Sequence, residues 1–257
     1  MTTLTIARNT FGEAIRKKIL LICLLVAMAM IAFAVSFASF TMREELTIIK
    51  SFGLGVIAIA GMFMAVILGI NLIPQEMERK TIYTILSKPV RRYEFLLGKF
   101  FGALATILVS LAVMTVAFML MVFFKNHYVV DFAMLKGIVM IFFQLLLLTA
   151  VALIFSVFTT PVVNFFMTSA VYIIGSLADV TESMSHGTDK NVLVRGFYMI
   201  VHYLTPQFAN FFTQNPLIHG IVIKNEAVYY SWNILYAIVY SSILLIVAIL
   251  VFERRDM

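Results

Sequence analysis

The residues best placed to do chemistry lie between Pro74 and Lys99, where the chain reads PQEMERKTIYTILSKPVRRYEFLLGK between two long uncharged apolar runs. Gly98 and Lys99 would suit a phosphate-binding loop. That motif, however, needs glycine at position 93 and Ser or Thr at position 100, where this chain has tyrosine and phenylalanine. Nucleotide binding of that kind is excluded, and with it an ATPase activity of the chain's own. Serine hydrolysis fares no better, because Ser36, Ser110 and Ser156 have no histidine within an apolar run. Glu44 and Glu45 fall in a short loop without a partner, and His127, His186, His202 and His219 are too far apart for a metal-ligand motif. The methionine pairs Met28 and Met30, Met62 and Met64, and Met119 and Met121 are spaced two apart. This puts each pair on different helix faces, as adaptable packing rather than a soft-metal ladder. Cys23 is the only cysteine, so no intrachain disulfide and no cysteine-based metal site is expected.

What the polar stretch offers instead is a surface. Thr81, Ile82, Ile85 and Leu86 fall at helical spacing behind Glu76, Glu78, Arg79 and Lys80. The spacing predicts a short amphipathic helix with acids at its start, where the helix dipole favours them. Pro89 ends it, Lys88 marks a turn, and Val90 begins a new helix.

The elements that must position this stretch are membrane spans. Of the 257 residues 62% are hydrophobic and 12% charged, whereas a soluble domain has about a quarter charged. The net charge of +6 does not imply nucleic acid, because the cations cluster beside apolar runs in the manner of membrane orientation. Six spans are expected, at about 19–40, 52–73, 100–124, 137–158, 162–178 and 232–252. The first is too long for a cleavable signal and stays in the protein. Residues 1–18 carry Leu4, Ala7, Phe11 and Ala14 at helical spacing and predict an interfacial helix. Thr159, Thr160 and Pro161 join the fourth and fifth spans, with the proline in the first turn of the fifth. Residues 179–231 form the long loop, read as interfacial or re-entrant helices, and Tyr229, Tyr230 and Trp232 are an aromatic belt before the last span.

Twelve of the 19 Lys and Arg residues lie on the side holding both termini and residues 74–99, which places that side in the cytoplasm. None of the six expected spans contains Asp, Glu, Lys, Arg or His. An ion-coupled carrier keeps such groups in the membrane despite a cost of roughly 2.5–3.5 kcal/mol each, so a carrier or channel is disfavoured. The large polar exceptions are Asn71, Gln144 and Asn164, which either bond neighbouring helices or line a substrate path.

The run Glu78, Arg79, Thr81, Ile82, Leu86, Ser87, Lys88, Pro89, Val90, Arg91, then Glu94, Leu97, Gly98 and Lys99, resembles the cytoplasmic loop between the second and third spans of type-2 ABC exporter permeases. Ala7, Arg8, Glu13 and Arg16 resemble that family's elbow helix. Tyr203, Leu204, Thr205 and Pro206 with Phe211 resemble its external segment, and Phe252 with Arg254, Arg255 and Asp256 its C-terminal ending. The nearest subgroup resembles the permeases of nitrous-oxide-reductase maturation. Lys80 stands where the family usually has glycine.

The resemblance implies an all-α, multi-pass permease in the cytoplasmic membrane of a prokaryote. Such a subunit is non-enzymatic and dimerises with a second copy or a similar paralogue in the lipid bilayer. It docks two ABC ATPase subunits, which bind the ATP and Mg. Residues 76–91 then form the coupling interface: Glu76, Glu78, Arg79, Lys80, Thr81, Ile82, Ile85, Leu86, Ser87, Lys88, Pro89 and Arg91. The alternative is a membrane scaffold that anchors an ATPase for complex maturation or signalling.

Overall fold

The computed structural model describes residues 2–38, 45–74, 91–125, 133–177, 205–212 and 225–254, and these contain helices and no strand. In chain order the helices are α1 (Thr2–Ile15), α2 (Lys18–Ala38), α3 (Glu45–Asn71), α4 (Arg92–Lys125), α5 (Ala133–Phe158), α6 (Pro161–Ser176) and α7 (Glu226–Arg254), with a 3-10 turn at Ala209–Phe211. Among the described residues, α3, α4, α5 and α7 are each long and apolar enough to cross a membrane; α1 and α2 meet that test as a pair bent by 62°. Helix α6 is apolar but shorter, at 16 residues.

The helices overrun the apolar runs on which the expected spans were drawn. Helix α4 begins at Arg92 rather than near Phe100, and α7 at Glu226 rather than near Trp232. Backbone hydrogen bonding does not stop where an apolar run begins, so both helices carry charged first turns ahead of it. Pro161 occupies the first turn of α6 as the sequence predicts, after Thr160 in an extended conformation.

The core runs along α3 and α5, whose apolar windows are 67% buried against 28% for α4 and 22% for α7. Helix α5 packs on α3, α4, α6 and α7, and α3 packs on α2, α4, α5 and α6. Three glycines permit that closeness. A Cβ at Gly53 would strike the Phe118 ring, one at Gly61 would meet a Leu145 methyl 2.5 Å away, and one at Gly69 would overlap Ala152. In lipid no hydrophobic drive separates one helix from another, so association rests on such close backbone approach.

Candidate functional site

Residues 75–90, which hold most of the predicted coupling surface, lie outside the described residues; these include Glu76, Glu78, Arg79, Lys80, Thr81, Ile82, Ile85, Leu86, Ser87, Lys88 and Pro89. The two points from which that stretch springs are described. On the α3 side, Leu72 and Ile73 are buried, and the Leu72 N–H donates to Gly69 O at 3.3 Å. On the α4 side, the Arg91 N–H donates to the Glu94 carboxylate at 3.2 Å, the returning half of a capping box. The Arg91 guanidinium donates to the Tyr93 hydroxyl at 3.3 Å.

Behind Arg91 the chain is clamped from two directions. Arg92 Nη1 donates to the carbonyl oxygens of Phe252 at 3.3 Å and Glu253 at 3.0 Å, in the last turn of α7. These carbonyls have no partner further along the helix, and a cation there also suits the dipole. Phe95 stacks on Phe252 with centroids 6.3 Å apart, a contact of the kind worth about 0.5–1.5 kcal/mol beyond its area. From the other side α1 lies directly on α4. A Cβ at Gly98 would sit 2.8 Å from the Ile6 side chain, and one at Gly102 would sit 2.7 Å from Ala7 O.

The face of α1 that packs is therefore Thr3, Ile6, Ala7, Thr10 and Ala14, while Leu4 is 78% exposed. The apolar spacing in the sequence caught only part of this face, because the contact with α4 is made by small and hydroxylated residues. Thr10 fits by turning its hydroxyl back to Ile6 O at 2.9 Å.

Sequence reasoning missed the burial of Lys99, which belongs to α4 and is 7% exposed, its Nζ 5.8 Å from the Phe95 ring centroid. It missed the clamp at Arg92 as well. The acceptors there are backbone carbonyls about 160 residues away, which carry no side-chain signal.

The three polar residues of the expected spans do not converge. Asn71 Nδ2 donates to Ile67 O of its own helix at 2.9 Å. Gln144 Nε2 reaches the Tyr172 hydroxyl at 3.4 Å, between α5 and α6. Asn164 is fully buried; its Nδ2 donates to Ala152 O on α5 at 3.0 Å, and its Oδ1 accepts from Thr168 Oγ1 at 2.8 Å. Gln144 and Asn164 thus join α5 to α6.

At the opposite end of the bundle, residues 205–212 are fastened by tyrosines. The Gln207 N–H donates to Tyr236 Oη at 3.1 Å, Tyr229 Oη donates to Asn210 O at 2.8 Å, and the Phe208 and Tyr172 ring centroids are 5.2 Å apart. A side chain at Gly175 would collide with Pro206 O, so glycine is what lets this segment sit on the end of α6. Of the predicted external motif, Pro206 and Phe211 are buried here, while Tyr203 and Leu204 lie outside the described residues. Nearby, Lys136 Nζ and Glu226 Oε2 pair at 2.8 Å, joining the first turns of α5 and α7. The hydrogen bond that Lys136 donates to the Glu226 carboxylate raises the lysine's pKa above its ordinary value.

One polar stretch springs from a corner where α1, α4 and α7 meet, and a second short segment sits at the far end. Residues 4–257 match the family model described as ABC-2 family transporter protein. No curated protein matches the chain.

Proposed function

The chain belongs to the ABC-2 transporter family and is a membrane subunit of an ABC transporter; on that premise we propose that it is the permease of an exporter whose energy comes from a separate ATPase docked on residues 74–99. The observation that carries the proposal is the rooting of that stretch. Its α4 end is bound to α1 through Gly98 and Gly102 and to α7 through Arg92, so a push on the stretch would displace three helices together.

In this reading α2 to α7 each cross the bilayer once, α1 is the elbow, and both termini and residues 74–99 face the cytoplasm. Helix α2, with 21 residues, is about 31 Å long, close to the ~30 Å hydrocarbon thickness. Two copies of the chain, or one with a similar paralogue, would enclose the route. Binding of ATP by the ATPase pair would shift the bundle between two packings; reversing such an equilibrium from 1:99 to 99:1 takes ~5.5 kcal/mol of differential binding.

Replacing Leu86 with aspartate tests the docking. The site lies outside the expected spans, so insertion should persist while co-purification of the ATPase and its stimulation by the permease fall at least several-fold. Asn225→Asp places the same charge at the far end, at a positive-φ position that aspartate tolerates, and should change neither. Wild-type co-purification and turnover for Leu86→Asp would remove the coupling assignment.

A further inference from the structure

The bend between α1 and α2 leaves space that the chain does not fill. Helix α1 lies down on α4 at Gly98 and Gly102, while α2 turns away by 62° and packs chiefly on α3. Between α2 and α4 this opens a groove of about 150 Å³. Leu20, Leu21 and Leu24 form one wall, Val109 and Val113 the other, and Ile15 closes the end at the bend. From Thr106 to Val113 the α4 wall runs for about 10 Å. The groove is open rather than covered, for Leu21 is 55%, Ile15 46% and Val113 42% exposed. The Thr106 hydroxyl in its wall already donates to Gly102 O at 2.9 Å, so it makes no demand on an occupant. Ser110 is the other polar residue of the lining; the remaining walls are apolar and suit hydrocarbon.

The closed end carries the opposite character. Arg16, Lys17 and Lys18 follow Ile15 directly. Lys17 and Glu13 are already engaged within the chain, but Arg16 and Lys18 are exposed and make no side-chain hydrogen bond or ion pair among the described residues. Lys18 also opens α2, so the positive end of that helix dipole adds to the two cations. Depth is set by α1, which exposes Leu4, Arg8 and Ile15 along one stripe and Thr5 and Asn9 beside it, a mixed face that suits the headgroup plane, with the Arg8 head free to reach water.

We propose that this bend is a binding site for an anionic phospholipid, with the headgroup phosphate held by Arg16 and Lys18 and one acyl chain lying in the groove between α2 and α4. Charge complementarity selects the occupant. A zwitterionic lipid would satisfy the groove but leave two cations without a net counter-charge, and a second protein chain would need acids of its own at this depth. A lipid seated here wedges the elbow against α4, the same helix that carries the polar stretch.

The test compares lipid retained by the purified full-length protein, measured by native mass spectrometry after equilibration with phosphatidylglycerol or phosphatidylcholine. Wild-type protein should retain phosphatidylglycerol selectively. Arg16→Gln with Lys18→Gln should lower that selectivity about 30-fold, as expected for two interfacial cations. Arg254→Gln, which removes an exposed cation at the end of α7, should leave it unchanged. Val109→Trp should lower retention of both lipids by filling the groove. Equal retention of the two lipids by wild-type protein, or no loss in the double variant, would overturn the proposal. With Cys23 replaced by serine, high-yield disulfide formation between two copies of Leu21→Cys in native membranes would overturn it too, by placing a second chain in the groove.

Discussion

Arg92 holds the last turn of α7 through the Phe252 carbonyl, 3.3 Å from its Nη1 and 160 residues further along the chain. One side chain thus closes the bundle by joining the first turn of α4 to the end of its last helix. Arg92→Ala would leave the Phe252 and Glu253 carbonyls to water and remove a cation from a helix C-terminus, an effect of about 1 kcal/mol at a half-exposed site. The melting temperature of the purified protein should fall, with insertion unchanged, and Arg92→Lys should recover part of the loss. A wild-type melting temperature for Arg92→Ala would show that the clamp contributes nothing.

Asn164 separates two uses of polarity inside a membrane. Its amide bonds α5 at one end and Thr168 at the other, so Asn164→Leu should cost about 0.5–2 kcal/mol of stability while transport per folded molecule is retained. The reverse pattern, wild-type melting with transport abolished, would place Asn164 on the substrate route.

The pair of Lys136 and Glu226 predicts a flat pH response. The lysine's folded-state pKa is raised, so its contribution is complete below the ordinary lysine value and is lost only as pH climbs through the raised one. The difference in melting temperature between wild type and Lys136→Met should therefore hold constant through neutral pH and shrink in strong alkali. It should also shrink in ~1 M salt, where screening acts within about 3 Å. A difference that changed between mildly acidic and neutral pH would point to another titrating group.

Much of this architecture was legible in the sequence because a bilayer leaves few options. Apolar runs of span length become helices, and Pro161 had to open one. What escaped the sequence was the contact chemistry at the α4 corner. Gly98 looked like part of a polar loop, but its role is set by Ile6 and Thr3 O, some ninety residues earlier, and no local periodicity reports that. Lys99 was counted as a loop cation, yet it is buried in α4, because its long stem packs as hydrocarbon whatever its head carries. Asn71 read either as a bond between helices or as part of a substrate path, and its Nδ2 donates to Ile67 O of its own turn. The pattern of residue types announces that a polar side chain must find a partner; geometry alone says which.

The join between α5 and α6 has a consequence for how the chain is built. Only Thr159 and Thr160 separate the two helices, and two residues span at most about 7 Å. Where both helices cross the bilayer, as proposed above, neither can wait at the surface while the other crosses, and the pair leaves the translocation machinery as one hairpin. Helix α6, about 24 Å long, is by itself a weak candidate for insertion. Bound to α5 by the Asn164 amide, it travels as the passenger of a longer and more apolar neighbour.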